Sequence, residues 1–385
     1  MKVLNIVLNN FINDSRVLKT SRTLASRGFS VTVIALHEPG LATTDLVDEI
    51  HIDRVVLKTR NWSKAKFVQL IKYFEFVLKV LLKYPDANYI HCNDLSTLPI
   101  GFMYKLLGRR VKIVYDAHEY ETETLNLKGL RKRASKLLER ALIKFADEVI
   151  TVSDSIAGEY SRLYSIPKPS LVLNCPPYKE VDREDLFRKS LKISDEKKIF
   201  LYQGGFTDGR GIQILLEAFE SIESDDFVLV CMGYGPLDKL VKDFEQRCKR
   251  IIYFPAVKPD VLLNYTASAD FGILFYEDTC LNHRYCSPNK IFEYLMAGLP
   301  VITSNLFEMA RLVNTHEIGV VASSNDKNGL LEAILNIQNK KYGDLVENVH
   351  KARKIYSWEN QEIKIIEIYS KLSDEKILKK VGVHD

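Results

Sequence analysis

The sequence predicts an α/β protein with two parallel β-sheets, each built into a Rossmann-like domain. Three observations lead to this prediction. The chain has 385 residues, which is too long for one ordinary hydrophobic core. Strand-like apolar runs alternate with helical runs through both halves of the chain. The consecutive prolines Pro176 and Pro177 interrupt this pattern near its middle, where we expect a rigid connector between two domains.

The first half contains five strand-like runs rich in apolar and β-branched residues. Helical runs separate them, among them residues 15–26 and 98–107. Strands that are apolar throughout are typical of a parallel sheet covered by helices on both faces. The predicted strands are Val3–Leu8, Val31–Ala35, Tyr89–Cys92, Val111–Tyr115 and Glu148–Val152.

The second half repeats the same alternation of strands and helices. We therefore expect one domain over residues 1–175 and another over residues 176–356, with a polar tail over residues 374–385. The predicted strands of the second half are Ile199–Tyr202, Phe227–Met232, Ile251–Phe254, Phe271–Phe275, Val301–Thr303 and Gly319–Val321.

The composition is that of a soluble globular protein, with 46% hydrophobic and 27% charged residues. The six cysteines are scattered, which favours reduced thiols and a cytoplasmic location over a disulfide framework. The N-terminus reads as a first strand rather than a signal peptide. Residues 1–175 hold 26 Lys and Arg against 18 Asp and Glu. This excess favours an acidic partner, either an anionic membrane surface or a phosphorylated acceptor, although a solvated basic surface also explains it.

Two long amphipathic helices are predicted in the first half, at Trp62–Tyr84 and Leu130–Phe145. The second has leucines on one side and six Lys or Arg on the other. A basic amphipathic helix can bind peripherally to the inner face of the cytoplasmic membrane. The alternative is a helix that simply covers the sheet.

The segment Ser287–Ser304, with the sequence SPNKIFEYLMAGLPVITS, predicts an anion site at the start of a helix. Ser287 is expected to cap this helix, with Pro288 at its first position and Asn289 next. Lys290 in the first turn would add its charge to the helix N-terminus, which suits a diphosphate. Glu293, one turn later, could accept hydrogen bonds from two ribose hydroxyls. A capped helix without a ligand is the alternative.

A Gly-rich turn, with the sequence QGGFTDGRG at residues 203–211, follows an apolar strand and is a second candidate anion site. Gly204 and Gly205 would let the backbone approach a ligand, and Gly211 would give clearance beside Arg210. The Arg210 guanidinium could bind phosphate oxygens in a bidentate manner. Gly233 ends the next strand, where a base or ribose could pack against the backbone. Tight turns without a ligand explain both segments equally.

In the first half, His118 follows a strand within the sequence YDAHEYE. Side chains at the carboxyl edge of a parallel sheet face the ligand crevice, so His118 could bind a sugar hydroxyl. Asp116 or Glu119 could orient it. His91 ends another strand and could line the acceptor side, or be structural. The loop after the first strand offers Asn10, Asp14 and Arg16 as acceptor contacts, with a helix cap at Asp14 or Ser15 as the alternative.

Other reaction classes lose support because their motifs are absent from the sequence. We find no GxSxG, HExxH, Walker motif or GxGxxG, and no DxD pair followed by an extended loop. No metal site, no cofactor other than a nucleotide-sugar substrate, and no nucleic-acid partner is predicted.

Taken in order, these segments resemble the family 4 retaining glycosyltransferases of the GT-B fold, of the type that builds bacterial surface polysaccharides. The most specific parts are Gly204–Gly211, Ser287–Thr303 and Tyr115–Glu119. The resemblance implies two Rossmann-like domains facing a cleft. It also implies that residues 357–373 form a helix that crosses back to the first domain.

Carried over, the resemblance gives Arg210 and Lys290 to the diphosphate of the donor, Glu293 to its ribose, and His118 to the donor sugar. The family often has Gly-Arg where this chain has Gly204 and Gly205. Its first paired glutamate corresponds to Tyr285, and Asn282, His283, Arg284 or Asn289 could substitute for it.

The implied activity is that of a hexosyltransferase-type enzyme. It would be metal-independent and would move a sugar from a nucleotide-diphosphate sugar, with UDP favoured, to a glycan or lipid-linked acceptor. Arg210, Lys290 and the helix N-terminus would stabilise the leaving diphosphate. A UDP-sugar 2-epimerase and a non-catalytic nucleotide-sugar-binding subunit are the alternatives.

Overall fold

The computed structural model describes residues 1–373 and divides the chain into two compact units. Unit 1 contains Met1–Thr122, Leu127–Val172 and the described residues from Glu362 onward. Unit 2 contains Glu123–Asn126 and Leu173–Gln361. The predicted polar tail at 374–385 lies outside the described residues.

Unit 1 is built on an eight-stranded sheet in the order β3-β4-β2-β1-β5-β6-β7-β8. Its strands are β1 Lys2–Ile6, β2 Ser30–Leu36, β3 Thr44–Val47, β4 Ile50–Val55, β5 Tyr89–Asn93, β6 Lys112–Ala117, β7 Glu148–Thr151 and β8 Ser170–Leu171. All neighbouring pairs are parallel except β3 and β4, which are antiparallel. Its helices are α1 Ser15–Ser26, α2 Lys66–Lys83, α3 Leu98–Leu106, α4 Gly129–Leu142 and α5 Asp154–Tyr164.

Unit 2 is built on a six-stranded parallel sheet in the order β11-β10-β9-β12-β13-β14. Its strands are β9 Lys198–Gly205, β10 Phe227–Tyr234, β11 Ile251–Pro255, β12 Phe271–Leu274, β13 Val301–Thr303 and β14 Gly319–Val321. Its helices are α6 Leu186–Leu191, α7 Ile212–Glu220, α8 Asp238–Arg247, α9 Leu262–Ala267, α10 Leu281–Tyr285, α11 Asn289–Met296, α12 Phe307–His316, α13 Lys327–Ile337 and α14 Tyr342–Ile355.

The last helix, α15, runs over Trp358–Leu372 and ends in unit 1. There the Tyr369 hydroxyl lies 2.9 Å from Nδ1 of His91, and the Ser373 hydroxyl lies 2.8 Å from that of Tyr89. The predicted α/β fold class with two parallel-sheet domains is confirmed, as is the return of the last helix to the first domain.

The helix α4 departs from the expected packing of an amphipathic helix on a sheet. Only Glu139 and Leu142 of this helix are buried, while its leucine-rich side faces solvent. The Glu139 carboxylate accepts hydrogen bonds from the hydroxyls of Tyr115, Tyr160 and Tyr164, at 2.6, 2.8 and 2.5 Å. These three bonds compensate for the burial of a carboxyl group, whose pKa burial raises above its ordinary value.

Candidate active site

The helix α11 begins at the carboxyl edge of the unit 2 sheet, and its first residue, Asn289, is exposed. Its N-cap residue is Pro288, with φ −64° and ψ 140°, and the side chain of this residue makes no capping hydrogen bond. The prediction that Ser287 caps the helix and Pro288 occupies its first position is therefore wrong. The extended ψ of Pro288 delays the helix by one residue, so Asn289 is its first member. The terminal N–H groups of α11 retain their capacity to bind an anion.

Lys290 lies across the backbone of Gly204 at the end of β9. A Cβ atom on Gly204 would clash with Cε of Lys290 and would lie 2.7 Å from its Nζ. Gly204 also has φ +123°, which side-chain-bearing residues rarely adopt. Burial lowers the pKa of Lys290, and the nearby Arg210 lowers it further, whereas Glu293 acts in the opposite direction. Lys290 is thus close enough to interact with both Arg210 and Glu293.

Arg210 lies in the turn between β9 and α7, against the ring of Tyr276. Its guanidinium carbon is 4.6 Å from the ring centroid, and Nη1 donates a hydrogen bond to the Tyr276 hydroxyl. The next residues after β12 are tied to the same turn, since Glu277 donates its N–H to the carbonyl of Gly209 at 3.0 Å. Sequence reasoning did not identify Tyr276 as the residue that positions Arg210.

Glu293 is held in place by a chain of hydrogen bonds from neighbouring elements. Its Oε2 accepts from Nε2 of Gln203 at 2.6 Å, and the Thr266 hydroxyl donates to Oε1 of Gln203 at 2.7 Å. The backbone N–H of Gln203 in turn donates to the Tyr294 hydroxyl at 3.1 Å. The hydrogen bond from Gln203 fixes the orientation of the Glu293 carboxylate. Because Glu293 is only partly buried, the carboxylate is still accessible.

Tyr294 also explains why the sheet opens at this position. Strands β9 and β12 pair only through Phe200 with Phe271 and Leu201 with Gly272. Beyond these pairs the Tyr294 hydroxyl lies between the strands, 3.1 Å from the carbonyl oxygen of Leu201 and 3.2 Å from that of Ile273. In this sheet β9 has β10 on one side and β12 on the other, which is the topological switch point where α/β proteins bind ligands.

The other predicted donor residues divide between backbone packing and the ligand edge. A Cβ on Gly211 would clash with the carbonyl of Phe275, and one on Gly233 would clash with the carbonyl of Gly204. Both glycines therefore permit close packing of the protein backbone, and the ligand contacts predicted for them stay predictions. Gly205 ends β9 in a partly exposed position. Ser287 and Asn289, at the start of α11, are partly exposed and exposed respectively.

The position of the family's first glutamate is occupied by Tyr285, whose ring meets that of Phe307 edge-on at 6.5 Å between centroids. Among the expected substitutes, Arg284 is paired with Asp278 at 2.7 Å. His283 is buried and its Nδ1 lies 3.0 Å from the Thr279 hydroxyl. Asn282 is buried as well.

In unit 1, the sequence-predicted residues His118, Asp116, Arg16 and His91 form one cluster at the carboxyl ends of β5 and β6. Arg16 binds both carboxylate oxygens of Asp116, at 2.9 and 2.6 Å, and donates to the carbonyl of Val172 at 2.9 Å. Nε2 of His91 is 3.4 Å from Oδ2 of Asp116. Arg16, Asp116 and His91 are all buried, so they are placed to position neighbouring side chains. Asp116 contacts His118 as the predicted orienting residue, and His91 fits its structural alternative. Arg16 holds Asp116, in place of the predicted acceptor contact.

His118 is the partly exposed member of this cluster. Its Nε2 lies 3.1 Å from Oδ1 of Asn93 and 3.5 Å from Oδ2 of Asp116, and its Nδ1 lies 3.3 Å from Oδ1 of Asp94. Burial opposes protonation of the ring, yet Asp94 and Asp116 raise the pKa of His118 above its ordinary value. Burial also opposes the ionisation of Asp116, but Arg16 and His118 hold the pKa of that carboxyl well below its usual range.

Asp94 belongs to the polar segment predicted at this edge of the sheet, but its contact with His118 was not predicted. It follows β5 with φ +63°, and its N–H donates to the carbonyl of Asp116 at 3.0 Å. The signal available was the polar end of the strand at His91–Asp94, but only the strand order shows that β5 and β6 are neighbours.

Two other predicted residues of unit 1, Asp14 and Asn10, form hydrogen bonds with residues outside this cluster. Asp14 is the N-cap of α1 and accepts from the N–H of Val17 at 3.2 Å, so the cap alternative is correct. The Asn10 side chain donates to Glu38 at 2.9 Å. Glu119 is exposed.

Among residues 1–373, none of the helices has both the length and the apolar character needed to cross a bilayer.

Comparisons with known proteins agree with this architecture. Residues 15–175 match the model described as Glycosyltransferase Family 4, and residues 197–340 match the model described as Glycosyl transferases group 1. A curated relative from Debaryomyces hansenii, named chitobiosyldiphosphodolichol beta-mannosyltransferase, is 24% identical over 334 residues. That match covers 75% of this chain and 69% of the relative.

Two solved structures share the fold over nearly the whole chain. Sucrose-phosphate synthase from Thermosynechococcus elongatus has a TM-score of 0.80 at 18% identity, covering 97% of this chain and 99% of its own. HepE from Anabaena, solved in complex with UDP-glucose, has a TM-score of 0.73 at 16% identity, covering 96% of this chain and 100% of its own. Since the two family models together match most of the sequence, the chain belongs to the family 4 glycosyltransferases and has their GT-B fold.

Proposed function

We propose that this glycosyltransferase moves a hexose from a UDP-sugar to a glycan or lipid-linked acceptor, with retention of the anomeric configuration. The observation that carries the proposal is the grouping of Lys290, Arg210 and Glu293 beside the start of α11. Two cations and a row of backbone N–H groups there match the charge of a diphosphate.

In this proposal, Lys290 and Arg210 bind the diphosphate, and the first N–H groups of α11 donate to its oxygens. Lys290 contributes a point charge, whereas the planar Arg210 guanidinium can bind two oxygens at once. The Glu293 carboxylate accepts hydrogen bonds from the ribose hydroxyls, because Gln203 already fixes its other side. These contacts select a ribonucleoside diphosphate and leave the sugar at the open edge of the sheet.

The proposed reaction forms a bond between the acceptor oxygen and the anomeric carbon of the donor sugar. The bond from that carbon to the β-phosphate oxygen breaks, and the acceptor's proton passes to the departing phosphate on the same face. Negative charge grows on the diphosphate in the transition state. Lys290, Arg210 and the α11 terminus stabilise this charge more strongly there than in the ground state.

The His118 cluster of unit 1 is proposed to bind a sugar hydroxyl. In the protonated imidazole, Nε2–H points to Asn93 and Asp116 and Nδ1–H points to Asp94 at 3.3 Å, so a sugar hydroxyl would accept from Nδ1 in place of the Asp94 carboxylate. Arg16 and His91, beneath it, fix the orientation of Asp116 and through it the ring.

One similar structure and one sequence relative bear on the identity of the donor and the acceptor. The UDP-glucose complex of HepE supports UDP as the nucleotide. The relative from Debaryomyces hansenii is named a β-mannosyltransferase, which supports mannose as the transferred sugar. Its name also refers to a dolichol-linked acceptor, which supports a lipid-linked acceptor for this chain.

The decisive experiment incubates the full chain with UDP-glucose, UDP-N-acetylglucosamine or GDP-mannose and a lipid-linked or soluble glycan acceptor. We expect transfer from a UDP-sugar, and a product whose anomeric NMR coupling matches that of the donor. Transfer from GDP-mannose alone would overturn the donor assignment, and an inverted product would overturn retention. Assays with a chelator test the predicted metal independence.

Incubation with the donor alone separates the two alternatives from transfer. A sugar epimerised at carbon 2 would identify an epimerase, and binding without turnover on any acceptor would identify a non-catalytic subunit. The ribose contact is tested separately with 2′-deoxy-UDP. The wild type should bind 2′-deoxy-UDP more weakly than UDP. If Glu293 binds the 2′-hydroxyl, Glu293→Gln should bind the two ligands with nearly equal affinity.

A further inference from the structure

The helix α2 in unit 1 exposes a continuous apolar stripe along its length. Phe67 and Leu82, near its two ends, are each 72% exposed, and the residues between them on the same side are also exposed. The spacing of three and four residues places all five side chains on one face. The stripe consists of Phe67, Leu70, Phe74, Leu78 and Leu82. An 18-residue helix is about 27 Å long, so the stripe is much larger than an isolated surface leucine.

The helix α4 adds a second exposed stripe with the same character. Its buried side is occupied by Glu139 and Leu142, so Leu130, Leu137 and Leu138 face solvent. The tyrosines that bind Glu139 fix this rotation of the helix, because turning it to bury the leucines would expose that carboxyl's partners. The outward position of the leucines is therefore built into the fold.

Both stripes lie on the same face of the unit 1 sheet. The chain passes from β4 to β5, from β5 to β6 and from β6 to β7 in one direction across the sheet, and right-handed crossovers place α2, α3 and α4 on one side. α3, between them, ends at the exposed Leu106, and the exposed Leu107 follows it. More than half of the exposed large apolar side chains within residues 1–373 lie between Trp62 and Phe145. This surface, formed by the outward sides of α2, α3 and α4, is here called the apolar face.

The apolar face is bordered by positive charge. Together, α2 and α4 contain nine Lys or Arg and two Glu, and one of these glutamates is the buried Glu139. Arg131, Arg133 and Arg140 on α4 are exposed. Basic residues beside exposed Phe and Leu are the composition of a helix that lies in the interface of an anionic bilayer.

The apolar face also begins near the His118 cluster. Each helix follows a parallel strand, so the first turns of α2 and α4 lie at the carboxyl edge of the sheet, where His118 and Asp94 are found. The Tyr73 hydroxyl of α2 donates to the carbonyl of Ser96, just after Asp94, at 3.0 Å. A surface that meets the apolar face would therefore be close to this edge.

We propose that the apolar face docks on an anionic phospholipid bilayer, with α2 lying in the plane of the interface and its stripe inserted among the acyl chains. A second copy of the chain is disfavoured as the occupant, because pairing of like faces would bring their lysines and arginines together. This inference rests on the proposed function, because a bilayer is where the protein would meet a lipid-linked acceptor. Docking needs neither donor nor acceptor, so it can fail or succeed independently of transfer.

Trp62 provides a direct measurement of this docking. The chain has two tryptophans, of which Trp358 is buried and Trp62 is exposed just before α2. Lys72 in α2 donates to the carbonyl of Trp62 at 3.0 Å, which ties the indole's segment to the helix. Adding vesicles of phosphatidylcholine with phosphatidylglycerol should shift Trp62 emission to the blue, and brominated acyl chains should quench it. Vesicles of phosphatidylcholine alone, or high salt, should weaken binding roughly tenfold or more.

Substitutions on matched surface leucines test which face inserts. Leu70 in α2 and Leu335 in α13 of unit 2 are 49% and 48% exposed. Leu70→Glu combined with Leu78→Glu should reduce vesicle partitioning at least roughly tenfold, whereas Leu335→Glu should stay within about twofold of the wild type. Arg131→Gln with Arg133→Gln, which leaves the apolar stripes intact, should reduce binding to anionic vesicles selectively. Circular dichroism checks that each variant is folded.

Several results would overturn the proposal. Unchanged Trp62 emission with anionic vesicles would do so, and so would equal loss of binding in the Leu335→Glu control. Dimerisation in sedimentation that Leu70→Glu abolishes, without vesicle binding, would identify a second copy as the occupant. Transfer to a soluble acceptor measured in parallel reports on the proposed function alone.

Discussion

Arg16 and Asp116 form a buried, two-pronged ion pair, with nitrogen–oxygen distances of 2.9 and 2.6 Å. Neither residue reaches solvent, and Arg16 places its remaining terminal nitrogen on the carbonyl of Val172. The pair therefore orients Asp116 toward His118 rather than binding a ligand itself. This relationship links the stability of unit 1 to the geometry of its candidate site.

Asp116→Asn should destabilise the protein strongly. The substitution leaves the Arg16 guanidinium buried without its counter-charge, and breaking such a pair typically costs about 3–5 kcal/mol. The pKa of Asp116 is depressed in the folded state, so its contribution is present above the unfolded value of about 3.9 and is lost as pH falls through the folded pKa. Denaturant unfolding at several pH values should show the largest difference near neutrality and a smaller one in strong acid.

The exposed ion pair of Arg22 and Asp48 provides the control for this measurement. Asp48→Asn removes the same charge from a solvated pair, where about 0–1 kcal/mol is expected. Equal effects of the two substitutions would contradict the role assigned to the buried pair.

His118 should titrate above the ordinary histidine value of about 6.5. Its raised folded pKa means that it stabilises the fold below the unfolded pKa and that this contribution is lost as pH rises through the folded one. Proton NMR of the imidazole should show this midpoint, and Asp94→Asn should lower it because one of the two carboxylates is removed. Asn tolerates the positive φ at position 94.

His316 serves as an internal reference in the same spectra. Burial lowers its pKa, so it should titrate below His118 and should not respond to Asp94→Asn. A His118 midpoint at or below that of His316 would refute the ionic environment inferred for the cluster.

Lys290→Ala and Arg210→Ala should each reduce kcat by roughly two orders of magnitude or more, by analogy with the loss of one donor to a developing negative charge. Lys239→Ala, which removes an exposed lysine paired with Asp243 in α8, is the matched control and should have wild-type kinetics. Wild-type turnover in both site variants would remove the diphosphate assignment.

Gly204→Ala should weaken donor binding although it deletes no charged group. The new Cβ would displace the Lys290 side chain, and φ +123° strains any residue with a side chain. We expect the KM for the donor to rise at least roughly tenfold, about 1.4 kcal/mol, measured by initial rates and by calorimetry of UDP binding.

Gly205→Ala is the matched control next to it, because its Cβ would meet Thr207 Cγ2 at an ordinary 3.8 Å. Similar donor affinities for the two alanine variants would show that the position of Lys290 over Gly204 is unimportant.

The regular parts of the fold could be predicted from local sequence, whereas packing orientation could not. All six strands of unit 2 were predicted, because short apolar runs rich in β-branched residues between helices usually form buried strands. The hairpin of β3 and β4 was missed because Thr44–Val47 is short and largely exposed. In α4 the helical period was evident, but the period alone cannot show that distant tyrosines would bury Glu139 and leave the leucines outside.

The candidate site divides along the same line. The turn carrying Arg210 and the helix carrying Lys290 and Glu293 were found from local motifs. The cap at Ser287 was wrong because the backbone angle of Pro288 decides where α11 begins. The partnership of Arg16 with Asp116 spans 100 positions, and that of Asp94 with His118 depends on strand order, so neither can be read from adjacent residues.

The hydroxyl oxygen of Tyr294 replaces the backbone hydrogen bonds that are missing between the ends of β9 and β12. Exchange of tyrosine for phenylalanine is normally counted among the mildest changes in a protein. At this position it would remove the partner of the Gln203 N–H and of the two carbonyl oxygens that share the hydroxyl proton, and the opening between β9 and β12 would lose the group that spans it. A homologue with phenylalanine here must therefore hold its strands apart by other means, which makes this residue a marker for comparing related enzymes.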